Sequence, residues 1–219
     1  MGVATGAYGL TFGALAVSSG LTLLQTCILS LAMFTGGSQF AFVGVAAGGG
    51  APMAAAATGI LLGARNTIYG LTVAPLLRVR GWRKAGAAHL VIDESTAMSI
   101  GESDRRLARI AFWATGISIF VCWNLATVIG AVAAGALPDP KALGLDAVAP
   151  AAFIFLFAPR LTSRLAWLTA LVGVLVALVF VPALPAGLPV IAAAVAVALL
   201  ALATARRSSS RPEPHGRAT

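Results

Sequence analysis

The sequence predicts an all-α, polytopic bundle of transmembrane helices, and three observations carry this prediction. Hydrophobic residues make up 59% of the 219 residues, charged residues only 10%, and the mean hydropathy is +0.93. A soluble domain carries about 25% charged residues, so this composition does not suit a water-facing surface. Apolar runs recur at about the 20 residues that a helix needs to cross a bilayer. Basic residues lie just beyond these runs, as in cytoplasmic loops.

About seven apolar runs predict the spans of this bundle. The longer runs are residues 1–19, 22–47, 53–77, 110–134, 165–181 and 188–205. The remaining run, residues 146–157, is short and is broken by Pro150. Residues 1–205 therefore form one predicted transmembrane domain. Residues 206–219 are basic and contain Ser and Pro, which predicts a disordered cytoplasmic tail.

Residues 85–100 are predicted to be a re-entrant or interfacial segment rather than a crossing. A helix of this length is only about 24 Å long, and it carries His89, Asp93 and Glu94. His89 and Asp93 are four residues apart, so a continuous helix would place them on one face. Asp93 and Glu94 are candidates for proton coupling or for holding an ammonium group at membrane depth. A solvated amphipathic helix on the cytoplasmic face is the alternative.

Basic residues are distributed unevenly between the two sides of the predicted bundle. If residues 85–100 do not cross, the segments 78–84, 102–109 and 160–164 share one side with the tail. That side then holds 13 of the 15 Lys and Arg residues, whereas Lys141 lies on the other. The positive-inside rule places the basic side and the C-terminus in the cytoplasm. We therefore predict a multi-pass membrane protein with its N-terminus outside and its C-terminus in the cytoplasm.

The second span contains Gly36, Gly37, Ser38 and Gln39 at its centre. Each glycine weakens a helix by about 1 kcal/mol relative to Ala, and Ser38 and Gln39 add hydrogen-bonding groups at the weakest point. A break here exposes backbone groups that can bind a zwitterion, so all four residues are candidates for substrate binding. The alternative is a close contact between helices, with Gln39 as an interhelical hydrogen-bonding group.

Arg65 and Asn66 lie near the centre of the third span, and Arg65 is the only charge in the first 77 residues. A charge at the bilayer centre costs about 2.5–3.5 kcal/mol, so Arg65 needs a carboxylate from the protein or from a substrate. A guanidinium suits bidentate carboxylate binding, which makes Arg65 and Asn66 candidates for substrate binding. A structural ion pair is the alternative. Asp146 is a candidate counter-ion and ammonium ligand, or an acid that simply begins a helix.

Sequence motifs of several function classes are missing from the chain. It contains no Walker phosphate loop, no Gly-x-Ser-x-Gly nucleophile and no His-Glu-x-x-His metal motif. The two histidines and two cysteines are not clustered, so no metal site is indicated. We therefore expect no enzymatic activity, no cofactor, no metal and no nucleic-acid partner.

Several of these segments resemble the AzlC family of bacterial membrane proteins. The resemblance rests on Phe12-Gly13, Ser30 to Phe42 (SLAMFTGGSQFAF), Gly63 to Gly70 (GARNTIYG), Asp93-Glu94 and Gly144 to Phe153. It covers residues 6 to 175, and its GxSQF and R[HN]xxYG elements occur in the order and spacing of the family. The resemblance implies the large subunit of a branched-chain amino acid exporter, with a small hydrophobic AzlD-type partner subunit.

Residues and resemblance together predict a secondary transporter for leucine, isoleucine, valine or similar apolar amino acids, driven by the proton gradient. The substrate carboxylate would face residues 36–39 and Arg65. Its ammonium group would face Asp93, Glu94 or Asp146, one of which would also couple transport to protons. A passive channel and a non-transporting membrane scaffold are the alternatives.

Overall fold

The computed structural model describes residues 2–136, 161–185 and 187–209, together with residues 151, 154 and 158. Within these residues every regular element is a helix. The chain divides into two compact units, Met1–Leu156 and Phe157–Thr219. The all-α fold class predicted from the sequence is therefore confirmed.

The helix bounds follow the predicted apolar runs, with additional breaks inside them. The described part of the first unit contains α1 (Gly2–Ser18), α2 (Leu23–Ala32), α3 (Gly37–Ala47), α4 (Pro52–Gly63), α5 (Arg65–Leu77), α6 (Trp82–His89), α7 (Asp93–Ile100) and α8 (Arg105–Gly135). The second unit contains α9 (Arg164–Phe180) and α10 (Leu188–Ser209). The predicted second and third spans are thus each divided into two helices.

The helix α8 begins earlier than the sequence predicted, within the charged segment 102–109. Asp104 caps it, because its Oδ1 accepts the amides of Arg106 at 2.8 Å and Leu107 at 2.9 Å. The 31 residues of α8 extend about 47 Å, which exceeds the roughly 30 Å of a hydrocarbon core. The helix α8 is therefore longer than a crossing of the hydrocarbon core requires, and its extra length can include the basic first turns.

Among the residues that the structure describes, two helical stretches are long and apolar enough to cross a membrane, judged by length and composition. They are Pro52–Leu77, which joins α4 and α5 through Ala64, and Arg105–Gly135. The other apolar helices among the described residues have 10 to 17 residues in their apolar part. The structure is membrane-like in composition and helix content, and the number of about seven spans stays a prediction.

The core of the first unit lies where α1, α3 and α8 meet. Phe12 of α1 lies 5.6 Å from Phe40 of α3 and 6.2 Å from Trp123 of α8, measured between ring centroids. All three side chains are buried. A Cβ built on Gly36, in the connection between α2 and α3, would lie 4.0 Å from the Trp123 ring. The connection therefore passes over the aromatic core.

The second unit pairs α9 with α10, and Gly173 of α9 faces Val197 of α10. The helix α9 has no buried residue, and Leu168, Val174 and Leu178 are exposed on it. A helix that is apolar on all sides suits a lipid environment. This unit contains none of the predicted site residues.

Candidate functional site

The predicted break in the second span is present between α2 and α3. The helix α2 ends at Ala32 and α3 begins at Gly37. Gly36 adopts φ +62°, a conformation that strains any residue with a side chain. The Gly36 carbonyl accepts the amides of Gln39 at 3.0 Å and Phe40 at 3.3 Å, and so begins α3. The first amides of a helix have no intrahelical acceptor, which makes this end of α3 attractive to an anion.

Gln39 connects the two halves of the broken helix. Its Nε2 donates to the carbonyls of Ser30 at 3.3 Å and Leu29 at 3.5 Å, near the end of α2. Ser30 Oγ donates to Asn124 Oδ1 at 2.8 Å, and the hydroxyl of Thr127 lies 3.3 Å from Ser30 Oγ; both partners are in α8. The Gln39 amide thus satisfies the Ser30 carbonyl at the end of α2, and it shares the Leu29 carbonyl with the Met33 amide. This contact matches the interhelical alternative for Gln39.

Arg65 lies between the starts of two other helices. It begins α5, in the middle of the 26-residue apolar stretch, and its Nη2 is 3.4 Å from Asp93 Oδ1 at the start of α7. The same nitrogen is 3.8 Å from the position that a Cβ on Gly37 would occupy at the start of α3. The side chains of Arg65 and Asp93 are 36% and 21% exposed, but the Asp93 Oδ1 atom that faces Arg65 is buried. The structure therefore brings three predicted site residues together.

Asn66 supports the backbone that leads to Asp93. Its Nδ2 donates at 2.9 Å to the carbonyl of Val91, which lies in the linker between α6 and α7. Asn66 Oδ1 is buried and has no hydrogen-bond partner within the part of the chain that the structure describes. One end of this amide therefore stabilises the fold, and the other can accept a hydrogen bond from a ligand.

Ser95 is a site residue that the sequence reasoning missed. Its Oγ donates to the Leu90 carbonyl at 2.7 Å and accepts the Ile92 amide at 3.1 Å. Ser95 is fully buried, and its bonds close the linker that precedes Asp93. The signal in the sequence was its position as the third residue of α7, where a polar side chain can bond back to the amide at the N-cap.

The prediction that His89 and Asp93 share one helix face is wrong. His89 ends α6 and Asp93 begins α7, and the linker between them is buried. Ile92 in this linker has an extended backbone, with φ −131° and ψ 172°. The ring of His89 instead lies 5.6 Å from that of Phe120, measured between centroids. The free energy gained by burying the three apolar linker residues outweighs the free energy that a continuous helix through this segment would give.

Several buried polar atoms on α3, α4 and α7 have no hydrogen-bond partner among the described residues. They are Ser38 Oγ, Gln39 Oε1, Thr58 Oγ1, Thr96 Oγ1 and Ser99 Oγ. Ser38 Oγ lies 3.5 Å from the position of a Cβ on Gly63, two residues before Arg65. An unpaired buried polar group costs about 1–3 kcal/mol. Stability alone therefore does not explain why these groups lie here.

The last two predicted site residues are Glu94 and Asp146. Glu94 follows Asp93 in the first turn of α7 and is half-buried. Asp146 lies outside the described residues, as does most of the predicted span 146–157. A groove of about 290 Å³ between α2 and α8 does not include the Arg65–Asp93 pair. It is lined by Cys27, Ser30, Leu31, Phe120, Val121, Asn124, Leu125 and Val128.

Comparison with known protein families matches residues 1–137 to the family described as AzlC protein. The match covers more than half of the chain and every residue of the predicted site except Asp146. No curated protein and no solved structure gives a significant match. The family and the apolar helices together identify a transport-related subunit in a membrane.

Proposed function

The chain belongs to the AzlC family, and on that basis we propose that it is the large subunit of a secondary transporter in the bacterial cytoplasmic membrane. The proposed substrates are branched-chain or similar apolar amino acids, which leave the cell at the expense of the proton gradient. A small hydrophobic AzlD-type subunit is the proposed partner. The C-terminus of the chain is proposed to face the cytoplasm.

The observation that carries this proposal is the position of Arg65 between Asp93 and the start of α3. A guanidinium beside helix amides is suited to a carboxylate, and a carboxylate is suited to an ammonium group. The two groups of an α-amino acid are separated by a single carbon, so they need complementary charges that lie close together. The 3.4 Å between Arg65 Nη2 and Asp93 Oδ1 meets that requirement.

Proton coupling is the finer part of the proposal. An exporter driven by protons needs a group that binds a proton on one side of the membrane and releases it on the other. Asp93, Glu94 and Asp146 are the proposed candidates. Asp93 is favoured, because protonation of its carboxyl group would weaken its ion pair with Arg65 and so link proton binding to the substrate site.

The test is accumulation of labelled leucine by inside-out membrane vesicles that contain the chain and its partner subunit. Wild-type vesicles energised with a proton gradient are expected to accumulate leucine, and an uncoupler is expected to abolish this. Arg65→Gln should lower accumulation by at least about tenfold, because a hydrogen bond to a charged group is worth about 1.5–3 kcal/mol. The matched control is Arg80→Gln, at an exposed arginine between α5 and α6; it should retain wild-type accumulation.

The outcomes separate the transporter from its alternatives. Leucine that only equilibrates across the vesicle membrane, with or without uncoupler, would indicate a passive channel. No flux from a well-inserted complex would indicate a scaffold. Wild-type accumulation by the Arg65→Gln variant would refute the assigned site while leaving the transport activity in place.

A further inference from the structure

We propose that the starts of α6 and α8 together form a binding surface for anionic phospholipid, in which Trp82 lies at the depth of the lipid headgroups. This basic surface contains none of the residues assigned to the transport of a substrate, so the inference goes beyond the proposed function and does not depend on it. Its residues are all exposed, and they are Trp82, Arg83 and Lys84 of α6 and Arg105, Arg106 and Arg109 of α8.

Two contacts between α6 and α8 place the first turns of both helices at the same end of the unit. A Cβ built on Gly86 of α6 would lie 4.0 Å from the Trp113 ring, and a Cβ built on Gly116 would lie 3.1 Å from the Cβ of Leu90, just after α6. Later residues of one helix thus contact later residues of the other, so the two helices run in the same direction. The first residue of α6 lies about 6 Å before Gly86 along the axis, near the level of Arg109.

The basic surface carries an excess of positive charge. Besides its five basic side chains, two exposed acidic residues, Glu102 and Asp104, lie in the segment before α8. One of these acids already has a structural role, because Asp104 caps α8. Arg83 and Lys84 lie in the first turn of α6, where the helix dipole does not favour a cation. Helix stability therefore does not explain these two charges, whereas an anionic partner does.

An exposed tryptophan and a change from charged to apolar residues identify the kind of anion. Trp82 is 81% exposed, and the Arg83 guanidinium carbon lies 5.7 Å from the centroid of its ring. Tryptophan is enriched at the headgroup level of membranes, where the ring is in apolar surroundings and the N–H stays hydrated. On α8, Arg109 is the last charged residue of the helix, and Ile110, which follows it, is 54% exposed. The apolar part of α8 thus begins near the level of Trp82.

A phospholipid with a negatively charged headgroup matches both the charge and the apolar boundary. Its phosphate is attracted by the basic side chains, and its acyl chains can cover the apolar residues that begin at Ile110. A nucleic acid or an acidic peptide would satisfy the charge but would leave these apolar side chains uncovered. Each Lys or Arg near a membrane surface strengthens the attraction to anionic lipid by about fivefold. The basic surface should therefore select anionic over zwitterionic lipid.

The test uses the fluorescence of Trp82 in liposomes that contain the purified full-length chain, together with any subunit that copurifies with it. The liposomes consist of phosphatidylcholine with a small fraction of a lipid whose acyl chains are brominated, because bromine quenches a nearby indole. At the same mole fraction, the brominated lipid has either an anionic phosphatidylglycerol or a zwitterionic phosphatidylcholine headgroup. The difference between the wild type and Trp82→Phe isolates the signal of Trp82 from the signals of the other tryptophans.

In the wild type, the anionic lipid is expected to be enriched beside Trp82 by at least about fivefold over its mole fraction in the bilayer. Brominated phosphatidylglycerol should then quench Trp82 more strongly than brominated phosphatidylcholine. Arg83→Gln/Lys84→Gln should lower this enrichment by at least about fivefold, and Arg109→Gln should lower it as well if the two helices share one surface. The matched control is Arg83→Lys/Lys84→Arg, which keeps both charges and should keep the enrichment.

Equal quenching of wild-type Trp82 by the two brominated lipids would overturn the inference. Absence of quenching by either lipid would also overturn it, because Trp82 would then lie outside the headgroup layer. An enrichment that survives Arg83→Gln/Lys84→Gln would show that these charges do not select the lipid. Loss of the enrichment when an RNA oligonucleotide is added would assign the basic surface to nucleic acid instead. These measurements do not involve leucine, so their outcome is independent of the proposed transport function.

Discussion

The helices α1 and α8 touch through their backbones, and this contact yields a prediction about stability. A Cβ added to Gly13 of α1 would contact Thr127 O and would lie 2.8 Å from Ala131 N, both in α8. A Cβ added to Gly130 of α8 would likewise contact Leu10 O in α1. Small residues at such positions allow helices to approach closely in membranes. The close packing of α1 against α8 therefore depends on glycine, which has no side chain, at positions 13 and 130.

Gly13→Ala should destabilise the chain, and Gly44→Ala should not. Both substitutions gain helix propensity of about 1 kcal/mol, so this gain cancels in the comparison. At Gly44 of α3, nothing lies within 4 Å of the added Cβ. At Gly13 the added carbon meets backbone atoms, which no change of rotamer can move. The difference between the variants is then the cost of overpacking, about 1–3 kcal/mol.

Thermal unfolding of the detergent-solubilised complex measures this difference. For a chain of 150–250 residues, each kcal/mol lowers the melting temperature by about 2–4 °C. Gly13→Ala is therefore expected to melt several degrees below Gly44→Ala, and Gly130→Ala should behave like Gly13→Ala. Equal melting temperatures for Gly13→Ala and Gly44→Ala would refute the close backbone contact between α1 and α8.

Two further predictions concern the side chains that support the helix breaks. Gln39→Leu removes the amide that bonds to the end of α2 and should lower the free energy of unfolding by about 1–3 kcal/mol. The control is Gln25→Leu, at an exposed residue that caps α2; this variant should lose less stability. Ser95→Ala leaves the buried Ile92 amide unpaired and should destabilise the fold by a similar amount. It should also reduce leucine accumulation, because the linker before Asp93 loses a hydrogen bond that holds it. Stability and transport like those of the wild type in Ser95→Ala would show that the linker does not depend on this hydroxyl.

The break in the second span could be predicted from the sequence, because adjacent glycines weaken the helix at the same point where polar residues interrupt the apolar run. Arg65 could likewise be identified as a charge in need of a partner. The sequence indicated Asp146 as its candidate counter-ion, whereas the structure pairs Arg65 with Asp93. This pairing could not be predicted, since it depends on contacts between segments far apart in the chain. The buried linker before Asp93 interrupts the helix, and Asp93 begins the next one. Spacing alone predicted a continuous helix there.

The polar residues of the site divide into two groups once their contacts are known. A helix break in an apolar environment leaves carbonyl groups that must be satisfied within the protein, and three side chains donate to such groups. Gln39 donates to the Ser30 carbonyl, Asn66 to Val91 and Ser95 to Leu90. Their donors are therefore engaged with the backbone of the fold.

The charged side chains of Arg65 and Asp93 differ from these amides and hydroxyls, because a helix break does not require a charged group. The carbonyls of the breaks are satisfied by neutral donors, yet Arg65 and Asp93 lie together among the same helix ends. An ion pair that is largely removed from water often gives less stability than well-packed apolar residues of similar size. Stability thus accounts for the Gln39 Nε2 donor and for Ser95 but not for the ion pair. Substitutions at the ion pair should accordingly reduce leucine accumulation with little loss of stability, whereas substitutions at Gln39 and Ser95 should chiefly change how stably the site is held.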